Sequence, residues 1–327
     1  MTGATGAVGP LVVKVLHDAG YEVRTLSADP LPDEVWPDGV ESRIGDVTVP
    51  SDVRSAMNGV GYVMHLAALL HVVNESHCIK ERYERINVDG TSNVVMCAAQ
   101  SRVYRIVFFS TIAVYGESGG KVVTEESPTE PQTMYATTKL AAEKVVLGAK
   151  NFMGEPIGTV LRLGAVYGPR VKGNYQRLAR SLGRGRFIPV GSGRNRRTLV
   201  YDEDVARAAI LALQHPDAAG KIFNVSDGKT HTVNDIISAI CQALGRKPPG
   251  FSLPVRPVRL LAGTAEDLLR LTGLRSPVVR ATVDKYIEDI AVDSGRIQRE
   301  LGFSAQYDLF RGWKETVAQM RRSGDLL

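Results

Sequence analysis

The sequence predicts an α/β protein, a doubly wound parallel sheet with a smaller, interwoven C-terminal domain. Three observations carry this. A glycine loop, Gly3, Gly6 and Gly9, runs straight into an apolar helical stretch over 11–16. Short, almost wholly apolar runs then alternate with helix-patterned segments as far as residue 163. After Gly168 and Pro169 the texture changes to an arginine- and glycine-rich loop followed by helices interrupted by prolines. Strands that alternate with helices are joined by right-handed crossovers. They form a parallel sheet covered on both faces, which is why the runs lack polar alternation.

Taken in order, the three glycines let the backbone turn tightly and come close to a pyrophosphate, with the next helix presenting its N-terminus to that charge. Such a loop should follow a buried strand, yet only Met1 and Thr2 stand before it. The first strand therefore reads as truncated, and the numbered start is expected to lie inside the natural one. Strands are predicted over 22–26 (closed by Pro30 and Pro32), 40–44, 60–66, 104–110 and 157–163, with long helices over 83–100 and 135–148. Beyond them come a helix over 174–182, a loop over 183–197 and a helix over 204–213 whose Val205, Ala208, Ala209 and Leu213 share one face. A strand over 222–225, a helix over 233–244, an amphipathic helix over 258–274 and a strand-like turn near Phe303 complete the chain. The expected division is 1–165 and 166–327, with residues near 198–226 returning to the first unit.

A chain of 327 residues has room for one large or two medium domains. With 44% hydrophobic and 23% charged residues it is of ordinary globular composition. A net charge of +5 suits an anionic small molecule and is too diffuse to indicate nucleic acid. Cys78, Cys97 and Cys241 are odd in number and unpaired in spacing, so reduced thiols and a cytoplasmic setting are expected. No leader segment is recognised, and no run approaches the ~20 apolar residues of a membrane span. His71 and His77 lack a third ligand at metal spacing, so no metal site is expected. Asp202 and Asp204 read as residues that orient a helix, and Trp36 and Trp313 as packing residues.

Chemistry is expected around Tyr135 and Lys139, which share one helix face. An ammonium beside a phenol favours the phenolate and draws the pKa down from about 10, so the tyrosine can exchange a proton with a hydroxyl or ketone. Ser110 and Thr111 end a buried strand, at the carboxyl edge where open α/β sheets bind ligands. An acid about 20 residues beyond a dinucleotide loop accepts from the ribose. Ser27 lies near that point and Asp29 two residues further, whereas Arg24 is a competing cue for a 2′-phosphate.

Together these residues resemble the extended short-chain dehydrogenase/reductase family, in its branch of NAD-dependent epimerases and dehydratases, over nearly the whole chain. Gly3, Gly6 and Gly9 match its glycine loop, and Gly45, Asp46 and Val47 match a segment that contacts adenine in that family. His65 to Ala68 match its H-x-A-A segment along the cofactor, and Asn87 to Thr91 its N-V-x-G-T helix. Ser110, Thr111, Val114, Tyr115 and Gly116 match its S-[ST]-x-x-V-Y-G strand end. Arg162 with Val166 to Pro169 matches its R-P-x-x-V-Y-G-P stretch, with Leu163 in place of the proline.

The resemblance implies a Rossmann domain and a catalytic set of Thr111, Tyr135 and Lys139. Cofactor contacts would come from Gly3, Gly6, Gly9, Asp29, Asp46, Val47, Ala67, Ala68, Asn87, Ser110, Tyr135 and Lys139. NAD is favoured, with NADP left open. Among the arginines of 177–197, it assigns Arg197, with Asn174, to a nucleotide diphosphate. The implied reaction is 4-epimerisation of a UDP-hexose or UDP-N-acetylhexosamine. A 4-ketosugar reductase comes next. A dehydratase lacks an acid beside Thr111, a hydroxysteroid-type dehydrogenase would lack the arginine, and a non-catalytic relative would lack Tyr135 or Lys139. A homodimer through the helices of 83–100 and 135–148 is also implied.

Overall fold

The computed structural model describes residues 1–29, 36–70, 77–271 and 280–326. Pro30, Pro32, His71 and the last three residues of the helix expected over 258–274 lie outside them. The glycine loop leads into α1 (Gly9–Asp18), followed by β1 (Arg24–Ser27), β2 (Glu41–Ile44), α2 (Pro50–Met57) and β3 (Tyr62–His65). Next come α3 (His77–Tyr83), a π-helical segment (Glu84–Asp89) and α4 (Gly90–Gln100). One α-helix was expected from 83. The π segment widens the turns around Asn87, a device common where a helix carries a functional side chain. β4 (Arg105–Thr111), β5 (Val122–Val123), α5 (Met134–Leu147), β6 (Gly158–Leu163) and β7 (Ala165–Tyr167) continue the alternation. The remainder is α6 (Asn174–Gly183), β8 (Arg196–Arg197), β9 (Leu199–Tyr201), α7 (Asp202–Gln214), β10 (Ile222–Val225), β11 (His231–Thr232) and α8 (Val233–Leu244). Last come α9 (Val255–Leu271), α10 (Arg280–Ile287), β12 (Ala291–Val292), α11 (Gly295–Leu301) and α12 (Leu309–Arg322).

The main sheet is parallel throughout. β2 pairs with β1 on one side, and β3, β4, β6 and β10 follow one another on the other. Thr2 joins the two halves with bridges to both Leu26 and His65. Its N–H donates to the Met64 carbonyl at 3.0 Å and its carbonyl accepts from Leu66 at 3.2 Å. The strand expected before the glycine loop is thus represented by this residue and Met1. Beside Met1, between β1 and β3, lies a cavity lined by Met1, Arg24, Thr25, Met57 and Val63 among others. The Met1 amino group donates to the Arg24 carbonyl at 2.6 Å. Burial first, and the Arg24 charge second, hold its pKa down to about 5.

β4 shows why its sequence is a continuous apolar run. Ile106 and Phe108 pack into the core under α2, α4 and α5, whereas Val107 and Phe109 pack into the core under α1 and α7. Each such fully buried side chain contributes roughly 1.5–3 kcal/mol. A separate core lies among α6, α8 and α12, where Trp313 stacks on Tyr167 with ring centroids 5.0 Å apart. Phe303 forms no strand: Gly302 ends α11 in a left-handed conformation and Phe303 joins the α1–α7 core. Trp36 is a partly buried packing residue there.

Candidate functional site

α5 begins where the Thr133 hydroxyl accepts the Ala136 N–H. From that start Tyr135, Lys139 and Glu143 fall one turn apart on the face toward the sheet. Lys139 and Glu143 are buried. Glu143 accepts from the Ser110 hydroxyl at 2.5 Å and from two guanidinium nitrogens of Arg162, at 3.1 Å from Nε and 2.7 Å from NH2. Ser110 and Arg162 stand opposite each other on β4 and β6. The Arg162 guanidinium also covers the Tyr115 ring, whose hydroxyl donates to Asn224. A buried ion pair thus ties the helix to two central strands. Ser110, expected to face the cofactor, spends its proton on Glu143. Thr111, one residue on, ends β4 and accepts from the Ala113 N–H at 3.1 Å.

Two electrostatic features bear on Tyr135 and Lys139. Burial pushes the Tyr135 phenol above its ordinary range, and the nearby Tyr83 adds to this. The expectation that Lys139 would lower it is corrected for the chain as it stands. The Lys139 ammonium lies 3.9 Å from the Phe108 ring centroid, and burial draws its own pKa down to about 7 against the opposing pull of Glu143. No carboxylate among the described residues forms an ion pair with it.

The glycine loop meets this edge from the other side. A Cβ on Gly9 would lie 2.2 Å from the Ala4 carbonyl oxygen. Gly3, with φ of +70°, would place one 2.5 Å from the Ala67 nitrogen. Only glycine allows this approach of loop, α1 and the 66–68 segment. Among the described residues no side chain caps α1 and its first turn carries no acid, so no side-chain charge neutralises its N-terminal dipole. His65 braces the loop. It is buried and held neutral, its pKa lowered to about 3 chiefly by burial. Its Nδ1 lies 2.6 Å from the Thr2 hydroxyl and its Nε2 2.9 Å from that of Thr91. Thr91 donates to the Asn87 carbonyl, which leaves Nε2 as the protonated nitrogen and Nδ1 as the acceptor. Asn87 accepts the Leu69 N–H at 2.7 Å and donates to Thr138 at 3.0 Å, joining the 67–69 segment to α5.

At the carboxyl end of β1, Ser27 has a buried hydroxyl with no hydrogen-bond partner among the described residues, and Asp29 is exposed just beyond. The Arg24 guanidinium is held by Glu41 and by the Ala56 and Asn58 carbonyls at the opposite, amino-terminal edge of the sheet. Asp46 accepts from the Thr48 N–H, and the Val47 carbonyl accepts from Asn93.

Arg197 lies on β8, with its guanidinium donating to the Lys285, Tyr286 and Glu288 carbonyls at the end of α10. Its charge reaches the Tyr175 phenol, next to the exposed Asn174 at the start of α6. Arg180 pairs with Asp325 and Arg196 with Asp289, which explains two of the other arginines as structural. Asp204 accepts the Gln306 and Tyr307 N–H groups and holds that loop to α7, and Asp202 stands in the first turn of α7. Sequence reasoning missed Glu143. The available signal was its position one turn beyond Lys139, together with an arginine inside an otherwise apolar strand.

The described residues thus bring a tight glycine loop, a buried lysine and a half-buried tyrosine to neighbouring elements of one sheet. Residues 1–226 match the model of the NAD dependent epimerase/dehydratase family. The chain belongs to this family. It is 29% identical to the UDP-glucose 4-epimerase of Vibrio cholerae, over 97% of this chain and 93% of that protein. It is 27% identical to N-acetyl-alpha-D-glucosaminyl-diphospho-ditrans,octacis-undecaprenol 4-epimerase of Escherichia coli O157:H7, over 97% of this chain and 93% of that one. The structure of MoeE5 in complex with UDP-glucose and NAD superposes with a TM-score of 0.76 at 27% identity, over 98% of both chains. Its α/β fold with a parallel sheet is thus shared with family members.

Lys139 makes this epimerase/dehydratase relative testable by pH. Its ammonium predominates below about 7 and its amine above, and only the ammonium offers three donors to the ribose hydroxyls that the family resemblance assigns to it. Dinucleotide affinity is expected to weaken as pH rises through that value, by up to roughly tenfold per unit. Calorimetric titration with NAD between about pH 6 and pH 9 measures it. An affinity that holds flat, or strengthens, contradicts the role.

Proposed function

We propose that this chain is an NAD-dependent nucleotide-sugar epimerase, acting at C4 of a UDP-hexose or UDP-N-acetylhexosamine. It is supported by Thr111 at the carboxyl end of β4, by Tyr135 and Lys139 one turn apart on α5, which packs on β4, and by a glycine loop in which Gly3 and Gly9 have no room for a Cβ. NAD fits that loop, the uncapped first turn of α1, the Ser27 hydroxyl, which lacks a partner among the described residues, and the buried Lys139. Gly3, Gly6 and Gly9 would admit the pyrophosphate, and Ser27 and Asp29 the adenine-side ribose. Asp46 and Val47 would border the adenine, Ala67 and Ala68 would lie along the cofactor, and Lys139 would hold the nicotinamide ribose. When bound, NAD supplies reversible hydride acceptance from the sugar carbon.

The chain's own residues do the rest. Tyr135 removes the proton of the sugar hydroxyl and returns it to the ketone oxygen after the sugar has turned. Thr111 donates to that oxygen and keeps it beside the phenol. Asn87 holds α5 and the 67–69 segment in register, and Ser110 supports Glu143. Arg197, by exchanging the carbonyls at the end of α10 for phosphate oxygens, would receive the diphosphate together with Asn174.

Incubation of the purified protein with UDP-hexose and catalytic NAD tests this. Interconversion of the C4 epimers without net cofactor reduction is expected. A stoichiometric demand for reduced cofactor would make it a 4-ketosugar reductase. Turnover of an apolar secondary alcohol but not of nucleotide sugar would overturn the substrate class.

A further inference from the structure

We infer that the face formed by the loop 184–188, the end of α8 and the start of α9 docks onto the anionic surface of a lipid bilayer. The charge distribution points there. From residue 156 to 201 the chain carries ten cations and no acid, of which Arg162, Arg180 and Arg196 are paired with acids from elsewhere, and from 243 to 265 it carries Arg246, Lys247, Arg256 and, paired with Asp284, Arg259. These two stretches meet in space. The loop at 189–191 pairs with Leu253 through both backbone groups. A Cβ on Gly185 would lie 3.3 Å from an Arg246 nitrogen. Arg321 of α12 donates to the Leu244 carbonyl at the same corner. Arg184, Arg186, Arg246, Lys247, Arg256 and Arg322 are all exposed there.

The same stretch, the end of α8 through the start of α9, also carries large exposed apolar side chains. Phe251 is 64% exposed, Leu260 69% and Leu261 67%. Ile188, next to the 189–191 segment that pairs with Leu253, is also exposed. A solvated basic face would not carry this much uncovered apolar surface. Cations beside exposed Phe and Leu on a helix and its preceding loop match the chemistry of an interfacial element, in which apolar groups enter the headgroup boundary and cations meet anionic lipid. No described helix is long and apolar enough to cross a membrane, so the contact is peripheral. The face also adjoins the candidate site. Arg259 of α9 pairs with Asp284 of α10, and α10 supplies the carbonyls that hold Arg197.

Co-sedimentation of the full chain with vesicles tests this, independently of any catalytic reading. Vesicles of phosphatidylcholine with about one-third phosphatidylglycerol are compared with phosphatidylcholine alone. Binding to the anionic vesicles only is expected, and release by about 0.5 M salt. Arg246→Ser/Lys247→Ser should weaken it by on the order of tenfold or more. Leu260→Ser/Leu261→Ser should weaken it without changing far-UV dichroism. Absence of binding, equal binding to both vesicle types, or binding indifferent to both variants would overturn the inference. So would Leu260→Ser/Leu261→Ser dispersing a self-associated species that ignores vesicles, or the same face retaining duplex DNA more tightly than lipid.

Discussion

Tyr135→Phe is expected to lower turnover of UDP-hexose by about 10²–10⁴-fold, the usual contribution of a positioned acid–base group. NAD binding should survive, because the substitution removes one hydroxyl from a half-buried ring and leaves α5, Lys139 and the glycine loop intact. The environment of Tyr135 sharpens the expectation. Burial and Tyr83 hold the phenol above its ordinary range, so at neutral pH it is protonated in the chain alone and acts as base only once a ligand lowers its pKa. Turnover is therefore expected to rise with pH until the liganded phenol has ionised. Epimer interconversion followed by NMR, with calorimetry for the dinucleotide, separates the two effects. Near-normal turnover by the phenylalanine variant would remove Tyr135 from the chemistry.

Glu143→Ala is expected to cost about 3–5 kcal/mol of stability, because the Arg162 guanidinium would remain buried with no counter-charge. The side chains of the pair are only 1% and 4% exposed, and their contact is bidentate. Ser110 would lose its acceptor in the same step. Thermal unfolding followed by circular dichroism measures this as a Tm lower by several degrees. The double replacement Glu143→Leu/Arg162→Met should recover much of the loss, since an apolar pair of similar volume removes both buried charges. A single alanine variant as stable as the parent would show that water reaches the pair.

Much of this was legible in the chain. The positions of Gly3, Gly6 and Gly9, the apolar strand of β4 and the Tyr135–Lys139 spacing depend on local rules. A loop near a phosphate needs glycine, a strand covered on both faces needs apolar residues throughout, and side chains four apart share a helix face. Those rules act over a few residues, so they can be read without knowing the fold. The family match over 1–226 agrees with that reading.

What the tertiary structure alone decided are interactions between residues far apart in sequence. Ser110, Glu143 and Arg162 become one network because β4, α5 and β6 are neighbours in space. Its Glu143 is reserved for Arg162, and Lys139 is left to the Phe108 ring. Thr2 acts as a bridging strand residue only because β1 and β3 flank it, and the tautomer of His65 is set by Thr2 and Thr91 at 63 and 26 residues' remove. Sequence names the side chains able to carry a charge. Burial and long-range hydrogen bonding set the energy of that charge, and here they hold Tyr135 protonated and Lys139 near neutrality.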